Sequence, residues 1–304
     1  MIIEKILYKD VPAFALTTAT LYAVAVPEQG GKVVSLQSRK SGREYLLQNP
    51  SKTFLHMGMN DDFEACECAG FDDMFPTIDP VRVCAKDGIL LDYPDHGEVC
   101  RLPFTPHTGR VSLTFCTHSP TLGYTYKKTF TEDADTGLRI TYRIENVAPR
   151  DLDALWAAHF LLNLEKGGKL LLPFKDGEPT DVVADRLGKY AVGARVPLCQ
   201  ALLTKGGPAD TPTSRKLYFP RRAPEGFVGY RAPDGEVMML EFDREQLPYL
   251  GLWINLGDLH GDYCVGLEPA SVGYDTVKNA EAYGQKDVLV CGGCKEFFIK
   301  LSIK

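Results

Sequence analysis

Between Arg110 and Asn146 the chain alternates with a period of two. Val111, Leu113 and Phe115 are followed by Tyr124, Tyr126, Lys128 and Phe130, and then by Leu138, Ile140, Tyr142 and Ile144. A helix turns every 3.6 residues and cannot keep such a set on one face, whereas a strand does so automatically. Ser119-Pro120, Gly123 and Asp133–Gly137 supply turn residues between the runs. Three short alternating runs separated by turns read as an antiparallel meander.

The same grammar covers most of the chain. Residues 1–50 read as strand, turn, strand, with Leu21–Val26 and Lys32–Leu36 on either side of Gly30-Gly31, and Glu44–Leu47 as another short strand. Further short strands are predicted at Lys169–Leu172, Leu217–Phe219, Phe227–Tyr230, Glu236–Phe242, Leu250–Asn255, Tyr263–Glu268 and Glu296–Ile303. Asp234-Gly235 is a hairpin turn signal before one of them. Met57–Cys68 lacks periodicity and reads as loop, as does most of 175–215, with one short helix near Val182–Leu187. A chain of 304 residues could hold one large domain or two. No repeat or linker divides it, so one all-β domain over residues 1–304 is expected.

Composition removes several function classes. A net charge of −6 without a Lys/Arg run argues against nucleic acid and against anionic membrane as partners. No segment offers about 18 clean apolar residues for a membrane span. Nine cysteines form no regular framework, and Met1-Ile-Ile-Glu-Lys-Ile lacks the basic start of a signal peptide, so a cytoplasmic location is expected. Cys291-x-x-Cys294 has zinc spacing but no partner pair, since Cys66-x-Cys68 does not match. Asp92, Asp95, His96 and Glu98 follow no coordination pattern. Phosphate-loop and dinucleotide motifs are missing, so neither metal nor cofactor is expected.

Two apolar runs carry one ionisable residue each. Asp153–Asn163 holds His159 in its middle, and Asp262–Pro269 holds Glu268 near its end, 109 residues later. Each must find a partner or cost stability. The first run leans towards helix, with Asp151 or Asp153 as cap and Gly167 beyond its end, but a strand buried on both faces looks the same. If the second is a strand, Asp262, Cys264, Gly266 and Glu268 share one face lined by small residues, and Pro269 ends the pairing. His96, in Asp95-His96-Gly97, lies in a polar loop.

Gly70–Ile78 with its Met-Phe-Pro-Thr core, Asp95-His96-Gly97, Trp156-Ala-Ala-His159 and Gly266-Leu-Glu-Pro269 occur in this order. Together they resemble the aldose 1-epimerase (galactose mutarotase) superfamily, especially its less characterised bacterial branch. The ending Leu289–Ile303 is similar to the family's closing strand. The resemblance implies an antiparallel β-supersandwich with a sugar cleft on one sheet, and it makes the His159 run a strand. It implies an isomerase of aldose anomers, with His159 as acid, Glu268 as base and His96 binding the sugar. Trp253 or Phe75 would stack on the ring, and Asp72 or Asp73 would accept its hydroxyls. The implied partner is a small-molecule sugar, bound by a monomer or homodimer. A non-catalytic carbohydrate-binding protein is the alternative.

Two departures stand out. The family's Pro-Gly-Glu before the last strand reads Gly292-Gly293-Cys294 here. Its sugar-binding arginine has no clear counterpart, with Lys32, Arg82 and Arg101 as candidates. A phosphorylated sugar would call for clustered Arg or Lys, and Arg221-Arg222 is the adjacent arginine pair.

Overall fold

The computed structural model describes residues 1–133, 137–199 and 212–304. Two antiparallel sheets, of eleven and eight strands, face each other, and two short two-stranded ribbons lie beside them. The expected meander forms as Ser112–His118, Tyr124–Glu132 and Leu138–Asn146, paired in sequence in the smaller sheet. The closing strand Cys294–Ile303 then pairs with Leu138–Asn146. Every second side chain of the meander is buried, as the alternation requires.

These inward faces meet the larger sheet in one continuous core. Trp156 packs its ring 4.7 Å from Phe297 and donates its indole N–H to the Tyr126 hydroxyl at 2.7 Å. Buried aromatics of this kind each remove about 150–250 Å² from water, and their polar tips must still find partners. Lys128 breaks the apolar alternation because it too has a partner across the core, the carboxylate of Asp73 at 2.9 Å.

One open choice is settled as the resemblance implies, and two expectations are corrected. The His159 run is the strand Ala157–Asn163, not a helix. Its backbone pairs with Phe71–Met74 on one side and Tyr263–Ala270 on the other, and both faces are covered. All-round apolarity here reflects two-sided burial. Val182–Leu187 is no helix either. Its first residues belong to the strand Pro179–Asp185, which pairs with Thr213–Tyr218 through a bulge between Val182 and Ala184. Consecutive β-branched valines suit that strand. Pro269 does not end its strand. It sits opposite Leu250 inside the ladder, and pairing runs on to Ala270.

Smaller differences are local. Glu44–Leu47 makes only isolated bridges, and a hairpin of Val81–Cys84 and Leu90–Tyr93 occupies a stretch with no predicted strand. Thr276 caps a short helix, Val277–Ala282, by accepting from the Asn279 N–H at 3.0 Å. Part of the expected Asp133–Gly137 turn, and residues 200–211 of the expected loop, lie outside the described residues. No helix among the described residues is long and apolar enough to cross a membrane.

Candidate functional site

Strand register assembles the site. Ala157 faces Ala270 and Phe160 faces Leu267, so the same antiparallel register sets His159 beside Glu268. His159 also faces Asp72 on its other side. Glu268 faces Gly251, and Gly251 faces Tyr218. Asp72, His159, Glu268, Gly251 and Tyr218 therefore form one row across the sheet, all on one face. The next row runs Leu161, Gly266, Trp253 and Lys216. These rows floor a cleft of about 290 Å³, close to the lower end of the usual small-ligand range of roughly 300–1,000 Å³.

His159 and Glu268 thus meet, although 109 residues separate them. They are 6% and 0% exposed, yet both line the cleft. His159 Nδ1 and Glu268 Oε1 are buried without a hydrogen-bond partner. Native proteins rarely leave such atoms unpaired, and a pair of them at one cleft floor suits a ligand. Gly266 makes the room. A Cβ there would sit 3.0 Å from Glu268 Oε1 and 3.0 Å from Trp253 Cβ.

Glu268 Oε2 is ion-paired with the Lys216 ammonium, which also lies 3.2 Å from Asp275 Oδ1. Asp275 in turn accepts from the Tyr218 hydroxyl at 2.8 Å. Burial pushes the Glu268 carboxyl up, Lys216 pulls it down, Asp275 pushes it up again, and the outcome is about 7. Burial opposes charge on Lys216, but the two carboxylates hold its pKa above the ordinary lysine value. One cation is therefore shared by two carboxyls. Burial, then repulsion from His96, Lys216 and Lys32, pushes His159 well below the ordinary histidine value, so its imidazole is neutral.

His96 forms a wall of the cleft. Its ring stacks on Phe63 at 3.8 Å and meets His159 edge-on at 5.4 Å. The loop that aims it needs Gly97, whose φ is +76° and whose missing Cβ would lie 2.5 Å from the Phe75 carbonyl oxygen. Asp95 Oδ2 lies 3.0 Å from His96 Nδ1. Burial raises the Asp95 carboxyl, but the His96 interaction outweighs it and holds the acid below its usual range. Trp253 lines the floor of the cleft.

Other candidates point elsewhere. Asp73 lies one residue along from Asp72, so it faces the opposite side of the sheet, where Lys128 and the Tyr142 hydroxyl (3.1 Å) bind it in the core. It cannot accept sugar hydroxyls. Asp72 shares the His159 face but lies beneath the cleft, ion-paired with Lys32 at 2.9 Å. Phe75 is core, edge-on to Tyr124 at 4.9 Å.

None of the arginine substitutes lines the cleft. Lys32 is buried and also donates to the Glu67 carbonyl. Arg82 pairs with Asp92 on the exposed hairpin. Arg101 donates to the carbonyls of Gly58, Asp61 and Asp95, bracing the loops. Among the described residues Lys216 is the only lysine or arginine lining the cleft. It faces a carboxylate-rich rim of Asp62, Glu64, Asp79, Asp95 and Asp262.

Lys216 and Asp275 have no place in the sequence reading. For Lys216 a signal existed. Ser214, Lys216 and Tyr218 alternate with Arg215 and Leu217 as a strand would, but that strand was predicted only from Leu217. Asp275 lies in a loop, where no periodicity points inward. No three His, Cys, Asp or Glu side chains among the described residues converge on a metal position.

Several solved structures share this architecture at low identity. A galactose mutarotase-like protein from Clostridium acetobutylicum is 15% identical, with 100% of this chain and 98% of that one covered and a TM-score of 0.71. A galactose mutarotase-like protein from Lactobacillus casei is 16% identical, over 96% and 100%, at 0.66. A galactose mutarotase related enzyme from Lactobacillus acidophilus is 12% identical, over 96% and 97%, at 0.65. No protein-family profile and no curated protein matches the sequence. The fold is galactose mutarotase-like.

Proposed function

We propose that this chain interconverts the α and β anomers of an aldose, as an aldose 1-epimerase does. One observation carries the reading: His159 and Glu268 stand side by side at the cleft floor, each with a buried polar atom left for a ligand. Positioned acid and base groups each contribute about 10²–10⁴-fold, which suffices for a reaction that already proceeds in water.

Ring opening takes a proton from the anomeric hydroxyl and delivers one to the ring oxygen. The pair must therefore hold one proton between them. The resemblance gives that proton to His159. The surroundings favour Glu268, whose carboxyl titrates at about 7, while the imidazole is held neutral. In this chain Glu268 is then the acid and His159 the base for opening. The C1–C2 bond rotates, and closure from the other face runs both transfers in reverse. His96 and Trp253 contact the sugar, and no cofactor takes part. The nine free thiols fit a reducing compartment, and we place the protein in the cytoplasm.

The test is anomer exchange by NMR saturation transfer across a panel of aldoses, with Glu268→Gln and His159→Asn as controls. Exchange that requires both residues, and that falls as pH rises through about 7, supports the reading. Sugar binding without exchange overturns it in favour of a carbohydrate-binding protein. Exchange that rises through the same range overturns an acid–base pair that shares one proton.

A further inference from the structure

We propose that Lys216 is a positioning residue of this site: aimed by Asp275, it presents its ammonium to Glu268 and so decides when that carboxyl carries a proton. The inference rests on the reading above for its kinetic consequence, but not for its physical one.

The geometry has three parts. Lys216 is 5% exposed and Glu268 is 0% exposed, so their ion pair is shielded from solvent. Lys216 projects from the strand Thr213–Tyr218, and Gly251 on the intervening strand puts no side chain between them. A Cβ at Gly251 would lie 2.9 Å from the Tyr218 ring.

Asp275 is held in place at a cost. Tyr274 and Asp275 have φ of +67° and +66°, two successive non-glycine residues in the left-handed region. Each such residue costs on the order of 1–3 kcal/mol unless its surroundings hold it there. They do. The Asp275 carbonyl accepts from the Ile78 N–H at 2.9 Å, the Asp79 N–H at 3.0 Å and the Thr77 hydroxyl at 3.2 Å. Thr276 next to it caps the following helix, and the Tyr274 hydroxyl donates to Asp181 at 2.9 Å. The result aims a second carboxylate at the Lys216 ammonium.

The charged and titratable groups around Glu268 are therefore Lys216 and Tyr218 from one strand, His159 from another, and Asp275, Asp79 and His96 from the loops. Removing the cation and removing its second anion must act in opposite directions. Lys216→Met leaves Glu268 beside Asp275 without compensation, which favours the protonated acid. Asp275→Asn frees the ammonium to act on Glu268 alone, which favours the carboxylate. Asparagine tolerates the left-handed conformation, so this variant keeps the turn.

The experiment is an infrared titration of the Glu268 carboxyl in the sugar-free protein, assigned by difference against Glu268→Gln, alongside the pH profile of anomer exchange. The expected result is a midpoint raised by about one unit or more in Lys216→Met, lowered in Asp275→Asn, and restored towards the parent value in Lys216→Arg. The limb of the exchange profile near 7 should move with it. Midpoints that stay put in both folded variants, or move in the same direction, overturn the proposal. Because the infrared titration needs no turnover, lack of exchange with every aldose counts against the mutarotase reading alone.

Discussion

Glu268→Gln should cost the protein its chemistry, and its stability relative to the parent should shift in the variant's favour as pH rises. Burial and Asp275 raise the Glu268 carboxyl from its ordinary 4.5 to about 7, against the pull of Lys216. Between those values the folded state binds more protons than the unfolded state, so stability falls as pH rises from about 4.5 to about 7. Below that window the penalty is absent, and above it the penalty is complete. At about 1.4 kcal/mol per pH unit the full penalty is about 3 kcal/mol, most of which develops between pH 5 and pH 8. A glutamine of the same shape escapes it. Urea denaturation of both proteins at the two pH values measures the difference, and titrating groups that do not interact with Glu268 cancel in the comparison. A stability difference between the two proteins that is the same at pH 5 and pH 8 would refute the account of Glu268 as a carboxyl held near neutrality by its surroundings.

Three further outcomes follow from the same geometry. Gly266→Ala places a methyl group 3.0 Å from both Glu268 Oε1 and Trp253 Cβ, so anomer exchange should fall about tenfold or more, with a stability loss of about 1–3 kcal/mol read from thermal melts. Asp73→Asn strands Lys128 in the core and should cost about 3–5 kcal/mol in denaturant melts, while KM for the sugar stays unchanged because Asp73 faces away from the cleft. Hexose 6-phosphates should bind about tenfold more weakly than the parent hexoses by calorimetry, because the rim is lined by carboxylates and Lys216, the lysine that lines the cleft among the described residues, is committed to two more. Raising the salt concentration should narrow that gap.

Much of this protein is readable without coordinates. The period-two alternation from Val111 to Ile144 dictates one buried face per strand, and the meander forms where the turns fall. His159 and Glu268 stand out as isolated ionisable residues in apolar runs, and a buried charge needs a reason. Gly266 and Cys264 share the Glu268 face because strand geometry allows nothing else. Each of these conclusions rests on local chemistry, which the chain carries in consecutive residues.

What only the tertiary structure decided depends on which strands become neighbours. The His159 run is apolar on all sides whether helix or strand, and only pairing with Phe71–Met74 and Tyr263–Ala270 makes it a strand. Asp72 and Asp73 look equivalent in sequence, yet one side of their sheet meets the cleft and the other meets Lys128. Lys216 reaches Glu268 across an intervening strand, and Asp275 reaches Lys216 from a loop, through contacts of 52 and 59 residues' separation that no local pattern encodes. The chain specifies which groups are chemically unusual. The sheet register specifies which of them meet, and so whether a buried glutamate is an ordinary ion pair or a carboxyl poised to exchange a proton.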